Sequence, residues 1–245
     1  MSEAPSRSRL KSYFNSTHTL LYSYLISLPL LLLYEILIFV AQPDTEQVVR
    51  ISVDVWIKTL FSYFGQDVLS ITLIFVALIG IFVLYKERNK LGSLKAGYFM
   101  TMLIEASAYA FILALLISTT VSGLLQIAAY QTVESLSTLQ QLALSLGAGL
   151  YEELFFRVIL VGLLLLVLKY MVQTKWLRFA LAMVIAALLF SAVHYIGDLG
   201  DTFTLSSFLF RFLFGLALNA IYIFRGFGMA AWTHAIYDLM VVAFL

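Results

Sequence analysis

The chain has 245 residues, of which 62% are hydrophobic and only 12% charged, and this is the composition of a polytopic membrane protein. Its 15 Lys and Arg residues nearly balance its 14 Asp and Glu residues, so net charge gives no reason to expect a nucleic-acid partner. The absence of cysteine excludes disulfides, thiol nucleophiles and cysteine-ligated metals.

The hydropathy pattern predicts seven membrane-spanning helices, because a helix needs about 20 apolar residues to cross a bilayer. No strand-like alternation competes with this pattern. The first span follows a polar, basic N-terminus and is too long for a typical signal sequence, so a cleaved signal is the less favoured alternative. The predicted fold class is an all-α integral membrane bundle with spans at 20–41, 68–85, 97–122, 140–168, 178–196, 204–224 and 226–245.

The basic residues orient this bundle, since cytoplasmic loops carry an excess of Lys and Arg. With the N-terminus inside, only Arg50 and Lys58 fall outside the membrane. The basic residues on the cytoplasmic side are then Arg7, Arg9, Lys11, Lys86, Arg88, Lys90, Lys95, Lys169, Lys175, Arg178 and Arg225. The outer loops carry Asp44, Glu46, Asp54, Asp67, Glu134, Asp198 and Asp201. We therefore expect a protein of a bacterial cytoplasmic membrane with its N-terminus inside.

Nine ionisable side chains fall inside the predicted spans, and each costs about 2.5–3.5 kcal/mol to insert unless it has a partner or a function. For Glu35 and Glu105, alone in the first three spans, we expect interhelical hydrogen bonds or a pairing with Arg211 rather than catalysis. The spans after residue 135 hold Glu152, Glu153, Arg157, His194, Arg211, His234 and Asp238. We therefore predict an N-terminal transmembrane region of three helices at 1–135 and a functional core of four helices at 136–245.

Helical geometry groups five of these side chains. Glu153 and Arg157 are four residues apart and can pair on one helix face, and His234 and Asp238 have the same spacing. Glu152 lies about 100° around the helix from Glu153, so it can face a different neighbour.

Depth in the bilayer supports a shared site for three of the helices. At a rise of about 1.5 Å per residue, Glu152, His194 and Asp238 each lie roughly 20–25 Å from the basic residue at the inner end of their helix. The sequence therefore predicts that acidic and imidazole groups from three spans meet at one level.

Three short motifs carry a family resemblance: "EELFFR" at 152–157, "FSAVH" at 190–194 and "HAIYD" at 234–238. In this order on successive spans they resemble the motifs of the CPBP family of intramembrane endopeptidases, which includes the type II CAAX prenyl endopeptidases and bacteriocin-processing proteins. The resemblance covers roughly 139–245. It implies a glutamate-dependent peptidase whose catalytic residues are Glu152, Glu153, Arg157, His194, His234 and Asp238.

Within this resemblance, Glu152 and His194 hold the hydrolytic water, while Glu153 and Arg157 fix the helix face. A carboxylate in an apolar site binds a proton more readily, which suits a general base near neutral pH. The last motif commonly ends in asparagine, which can donate to an oxyanion, whereas ionised Asp238 can only accept. Asp238 is then either protonated or orients His234 as the oxyanion donor, with Asn219 as an alternative donor.

A metal site is a second possibility for the same residues. Glu152, His194, His234 and Asp238 offer nitrogen and oxygen ligands suited to zinc. The chain lacks HExxH, however, and the resemblance implies water activation without a tightly bound ion. We therefore expect no required cofactor, with zinc as the alternative.

The predicted function is hydrolysis of a membrane-associated, prenylated or bacteriocin-type peptide, with the lipid bilayer and a peptide or protein substrate as partners and no nucleic acid. Two alternatives use the same residues: a transporter or proton relay along the intramembrane acids, and a catalytically silent bacteriocin-immunity protein. Inverted repeats and broken helices, which many transporters have, are not evident. The depth count leaves open the side from which substrate enters.

Overall fold

The computed structural model describes residues 5–41, 50–62, 68–125, 136–196 and 200–244, and the regular structure within these ranges is helical. The predicted all-α bundle is therefore confirmed. The helices are α1 Pro5–Thr17, α2 Leu20–Ala41, α3 Ser52–Ser62, α4 Val68–Lys86, α5 Ala96–Leu125, α6 Thr138–Gly147, α7 Gly162–Met171, α8 Lys175–Val193, α9 Leu205–Arg225 and α10 Phe227–Phe244. A 3₁₀ turn at Arg88–Ser93 follows α4, and two π-helical segments join α6 to α7 without a break.

Each of the seven predicted spans corresponds to a helix. Five helical stretches in the described ranges are long and apolar enough to cross a bilayer, and Ile74–Lys86 and Phe227–Ala243 are shorter apolar helices. The hydropathy pattern did not predict α1 or α3, because neither is long enough to span a membrane. The chain is an integral membrane protein.

Local sequence signals set several helix ends. Ser137 caps α6 by accepting a hydrogen bond from the Gln140 backbone N–H, and the Gln140 side chain accepts from the Ser137 N–H, which forms a capping box. Gly226 separates α9 from α10 with a φ of 89°, a conformation that L side chains rarely adopt. The chain can therefore reverse between these two helices with a single residue.

Glu87 caps α2 from another part of the chain. Its Oε2 accepts a hydrogen bond from the Leu21 N–H at 2.8 Å, and its Oε1 accepts from Lys90 Nζ at 2.8 Å. Burial raises the pKa of Glu87, but these bonds outweigh it, so the pKa lies below its usual value. An ionised carboxylate thus satisfies the N-terminal N–H groups of α2.

The largest core cluster brings α2, α6, α8, α9 and α10 together. Ala230, Ala231 and Ala235 on α10 have no exposed surface, and these small residues let neighbouring backbones approach closely. Trp232 on the same helix donates to the Ile26 carbonyl of α2 at 2.7 Å. α10 is therefore packed on several sides, which places its polar residues inside the bundle.

Glu105 pairs with a basic residue of another helix, as its intramembrane position required. Arg225 Nε and Nη2 donate to the two Glu105 oxygens at 2.7 and 2.8 Å, and Tyr13 and Tyr109 each donate at 2.6 Å. The predicted interhelical hydrogen bond of Glu105 is confirmed, and its partner is Arg225 rather than Arg211. Four side chains thereby join α1, α5 and α9.

Glu35 also has basic partners, one on α3 and one just before it. Lys58 Nζ lies 3.1 Å and Arg50 Nη1 lies 3.2 Å from its carboxylate, and the Tyr151 hydroxyl donates to it at 3.3 Å. Asp54, which is fully buried, accepts from Arg50, Lys58 and the Tyr34 hydroxyl. The pairing with Arg211 is again wrong, because basic residues around α3 take this role.

Five of the outer-loop acids lie outside the described residues: Asp44, Glu46, Asp67, Glu134 and Asp198. The inside position of the N-terminus and the boundary between 1–135 and 136–245 therefore stay predictions.

Candidate functional site

The helix that carries EELFFR is widened around the motif. Ala148–Glu152 and Leu154–Val161 are π-helical, with hydrogen bonds that span one residue more than in an α-helix. Such widened turns are rare and often occur at functional sites. Here they shift the orientation of Glu152 relative to that expected for a regular α-helix.

A glycine lets this widened segment touch α10. A Cβ atom on Gly149 would lie 2.5 Å from the Ala231 carbonyl oxygen and 2.6 Å from Ala235 Cβ. Neither backbone nor a methyl group on a packed helix can move aside easily. Gly149 therefore sets how closely the glutamates approach the helix that carries the third motif.

We expect Gly149→Ala to separate the two helices and reduce both stability and any activity of the site. Overpacking of this kind costs about 1–3 kcal/mol. Thermal unfolding in detergent measures the loss, with Gly162→Ala as the matched control, because a Cβ there meets nothing within 4 Å. A Gly149 variant as stable as the Gly162 variant would contradict the close approach.

Glu153 is fully buried and joins two of the three motifs. Its Oε1 lies 2.8 Å from Arg157 Nη1 and 2.7 Å from His234 Nδ1. The first contact is the pairing that the four-residue spacing predicted. The second was not predicted, since spacing within a helix says nothing about partners on another helix.

Arg157 fills the space behind this carboxylate. It is fully buried, its guanidinium lies 4.5 Å from the centre of the Phe190 ring, and Nη2 donates to the Gly215 carbonyl at 3.4 Å. The side chain thus contacts α8 and α9 as well as Glu153. Because Arg157 is fully buried, we assign it a structural role in the site.

His194 follows the last residue of α8, at the C-cap position. Its Nδ1 lies 2.7 Å from the Phe190 carbonyl oxygen. A carbonyl oxygen only accepts, so Nδ1 carries the hydrogen and Nε2 of the neutral ring keeps its lone pair. The Phe190 ring packs edge-on against both His194 and His234, which aligns the two imidazoles on one aromatic side chain.

His234 is buried between two carboxylates. Its Nδ1 lies 2.7 Å from Glu153 Oε1, and its Nε2 lies 3.5 Å from Asp238 Oδ2. The first distance is a hydrogen bond, and the second is an electrostatic contact longer than an ordinary hydrogen bond. Glu153 therefore orients the His234 ring, a role that the motif spacing suggests only for Asp238.

Glu152 is partly buried and has no hydrogen bond to any residue in the described ranges. It lies near enough to His194, His234 and Asp238 to interact with each electrostatically. The structure therefore brings the six predicted site residues into one cluster. The two adjacent glutamates have different surroundings, because Glu153 is bound to Arg157 and His234 and Glu152 has no such bond among the described residues.

Asn219, the alternative oxyanion donor, lies apart from this cluster. Its Nδ2 donates to the Met183 carbonyl at 2.7 Å. Met183 precedes His194 by eleven positions on the same helix, which is about 16 Å of helix length. Asn219 therefore links α9 to α8 instead of facing the reacting groups.

Whether the same residues bind zinc stays a prediction. Among the described residues, no group of three histidine or acidic side chains is arranged to hold a metal ion. His234 directs Nδ1 to Glu153 and His194 directs Nδ1 to a carbonyl, so Nε2 is the ring nitrogen that each histidine could offer to a ligand.

Comparison with known proteins agrees with the motifs. The family model for type II CAAX prenyl endopeptidases of the Rce1-like kind matches residues 134–240, a little under half of the chain. No curated protein and no solved structure matches the chain significantly. The matched region contains all six residues of the cluster, and residues 134–240 are therefore similar to the Rce1-like type II CAAX prenyl endopeptidase family.

Proposed function

We propose that this protein is an intramembrane endopeptidase that cleaves a membrane-associated peptide of the prenylated, CAAX-like or bacteriocin type by glutamate-activated hydrolysis. The match of residues 134–240 to this family supports the general activity of a membrane endopeptidase. The observation that supports the mechanism is the difference between the two glutamates. Glu153 is bound to Arg157 and His234, whereas Glu152 has no hydrogen bond to a described residue and lies within electrostatic range of the His194 imidazole.

In the proposed reaction, Glu152 removes one proton from water, while His194 Nε2 accepts a hydrogen bond from the O–H that stays on the water oxygen. The water oxygen then bonds to the carbonyl carbon of the scissile peptide. When the C–N bond breaks, Glu152 returns the proton to the leaving amine. A positioned carboxylate that transfers a proton in this way contributes about 10²–10⁴-fold to the rate.

The oxyanion that forms on the carbonyl needs a hydrogen-bond donor. In this proposal His234 is doubly protonated, so Nδ1 donates to Glu153 and the Nε2–H lies on the side of Asp238. We propose that this Nε2–H stabilises the oxyanion, which is the usual source of the largest rate contribution in acyl transfer. Asp238 then favours the protonated ring and does not act as the donor.

The acids outside the cluster do not favour a proton relay. Glu35 and Glu105, which such a path would use, are each paired with basic side chains in the described part of the chain. The proposed endopeptidase activity gives Glu152 a function, and the ion pairs explain why Glu35 and Glu105 are tolerated inside the membrane.

His194→Ala tests the proposed function directly. We expect a loss of about 10²-fold or more in kcat, because the water loses one of its two partners. The measurement is cleavage of a candidate membrane peptide by purified protein in lipid nanodiscs, with folding checked by thermal unfolding. The peptide can be identified as one that accumulates in cells lacking the protein. A folded His194 variant with normal turnover would contradict the mechanism.

Asp238→Asn separates two roles for the third motif. If the amide can donate to the oxyanion, as asparagine does in the common form of this motif, kcat should be kept or raised. If the carboxylate is needed to keep His234 protonated, kcat should fall by about 10-fold or more. We expect the fall, because Asp238 faces His234 Nε2 at 3.5 Å. Unchanged turnover would assign Asp238 to donation.

A further inference from the structure

Arg211 is a cation close to the site that lies outside the three motifs. It projects from α9, is largely buried, and interacts electrostatically with His194 and Asp238. Its Nη1 donates to the Tyr195 hydroxyl at 2.9 Å and to the Ser207 hydroxyl, and its Nη2 donates to Asp201 Oδ2. Of these partners, Tyr195 follows α8, Asp201 lies before α9, and Ser207 lies in α9.

His194 lies just beyond the regular part of α8. α8 ends at Val193, and the chain continues as a turn through His194 and Tyr195. Helix ends lack the regular backbone bonds that fix residues in the interior. The orientation of the His194 ring therefore depends on whatever fixes this turn.

The contacts of Arg211 close a ring around that turn. The Asp201 backbone N–H donates to the His194 carbonyl at 2.9 Å, while the Asp201 carboxylate accepts from Arg211. Arg211 in turn holds Tyr195, the residue next to His194. The ring therefore has four members, His194, Tyr195, Asp201 and Arg211. Each member is joined to two others by a peptide bond, a backbone hydrogen bond or a side-chain hydrogen bond.

The guanidinium group suits this task. Its planar fork presents donors in fixed directions, so a single side chain can bind a hydroxyl and a carboxylate at the same time. The Arg211 guanidinium also lies over the Tyr195 ring, 5.3 Å from its centre. A lysine can keep the charge but supplies only a point-like ammonium group.

We propose that Arg211 is a positioning residue that fixes the turn at the end of α8 and thereby keeps the His194 ring aimed at Glu152. It acts through Tyr195 and Asp201 and does not touch the substrate. The inference rests on the proposed function only for its effect on turnover, since the ring orientation of His194 can be measured without any substrate.

Ring signals of histidine provide that measurement, because the chain has only three histidines. In protein labelled with ¹⁵N-histidine, wild-type His194 should show a protonated Nδ1 and a non-protonated Nε2. Arg211→Gln should shift these signals toward a mixture of tautomers as the bond to Phe190 loosens. His18, whose ring contacts the Ile223 carbonyl, serves as an internal reference that should not shift.

Kinetics provide the second measurement. Arg211→Gln should lower kcat by about 10–100-fold with KM changed less than about twofold, since misplacement of about 1 Å can cost 10²-fold. Arg211→Lys should give an intermediate kcat. The matched control is Arg88→Gln, which removes an exposed arginine on the 3₁₀ turn and should leave both kcat and the His194 signals unchanged.

Three outcomes would overturn the proposal. A rise in KM alone for Arg211→Gln would show that Arg211 binds substrate. Unchanged His194 signals would show that Arg211 does not act through that ring. Turnover equal to that of the wild type would show that Arg211 has no role in the reaction. If Arg211→Gln does not fold, Tyr195→Phe removes only the hydroxyl and must shift the His194 signals in the same direction. Normal cleavage by a Glu152 variant would instead reject the proposed function while the ring signals still report on Arg211.

Discussion

Glu152→Gln is expected to lower kcat by about 10²–10⁴-fold and to leave KM within about threefold of the wild-type value. Glutamine keeps the size and shape of the side chain but cannot take a proton from water. Glu152 has no hydrogen bond to any described residue, so its replacement breaks no bond that holds the helices together. The measurement is peptide cleavage in nanodiscs at saturating and limiting substrate, with thermal unfolding on the same samples.

Glu153→Gln is the matched comparison, since it makes the same chemical change one residue along the chain. Glu153 is fully buried and bound to Arg157 and His234, so its loss should lower stability as well as turnover. The two variants should therefore differ in their unfolding temperature more than in their activity. If Glu152→Gln cleaves normally while Glu153→Gln does not, the two glutamates have been assigned the wrong way round.

Arg157→Met should have the largest effect on stability. The substitution roughly keeps the volume but leaves Glu153 as a buried charge without its main partner. Breaking a buried pair in this way costs about 3–5 kcal/mol. Unfolding of the purified protein by heat or denaturant measures the cost, and Lys169→Met at the exposed end of the same continuous helix is the control.

A double variant separates structure from function at this pair. Replacing a whole buried ion pair by apolar residues is often neutral, so Glu153→Leu with Arg157→Met should recover much of the lost stability. It should not recover turnover, because His234 would still lack the acceptor for its Nδ1–H. Recovery of both would show that Glu153 serves only as the partner of Arg157. An Arg157→Met protein as stable as the Lys169 control would contradict the importance of the pair.

The positions of the helices along the chain could be predicted from hydropathy alone. A bilayer requires long apolar segments, and all seven such segments in the sequence are helices in the structure. The spacing of four between Glu153 and Arg157 likewise predicted a contact, since it depends only on helix geometry.

The contacts between helices could not be predicted in the same way. Whether Glu105 pairs with Arg225 or with Arg211 depends on packing and rotation, which no local pattern encodes. The hydrogen bond from His234 to Glu153 has the same origin. The π-helical turns around Glu152 were also missed, because no residue type specifies a widened turn in the way that proline specifies a kink.

The Glu105–Arg225 pair has a consequence for how the protein assembles in the membrane. Lipid supplies no hydrophobic force between helices, so a matched charge pair can act as a recognition signal between segments that insert separately. Two polypeptides divided between α5 and α6 would each carry one half of this signal, Glu105 on the first and Arg225 on the second. Co-expressed fragments should therefore reassociate in the bilayer, and exchanging the two charges between fragments should preserve their mutual selectivity.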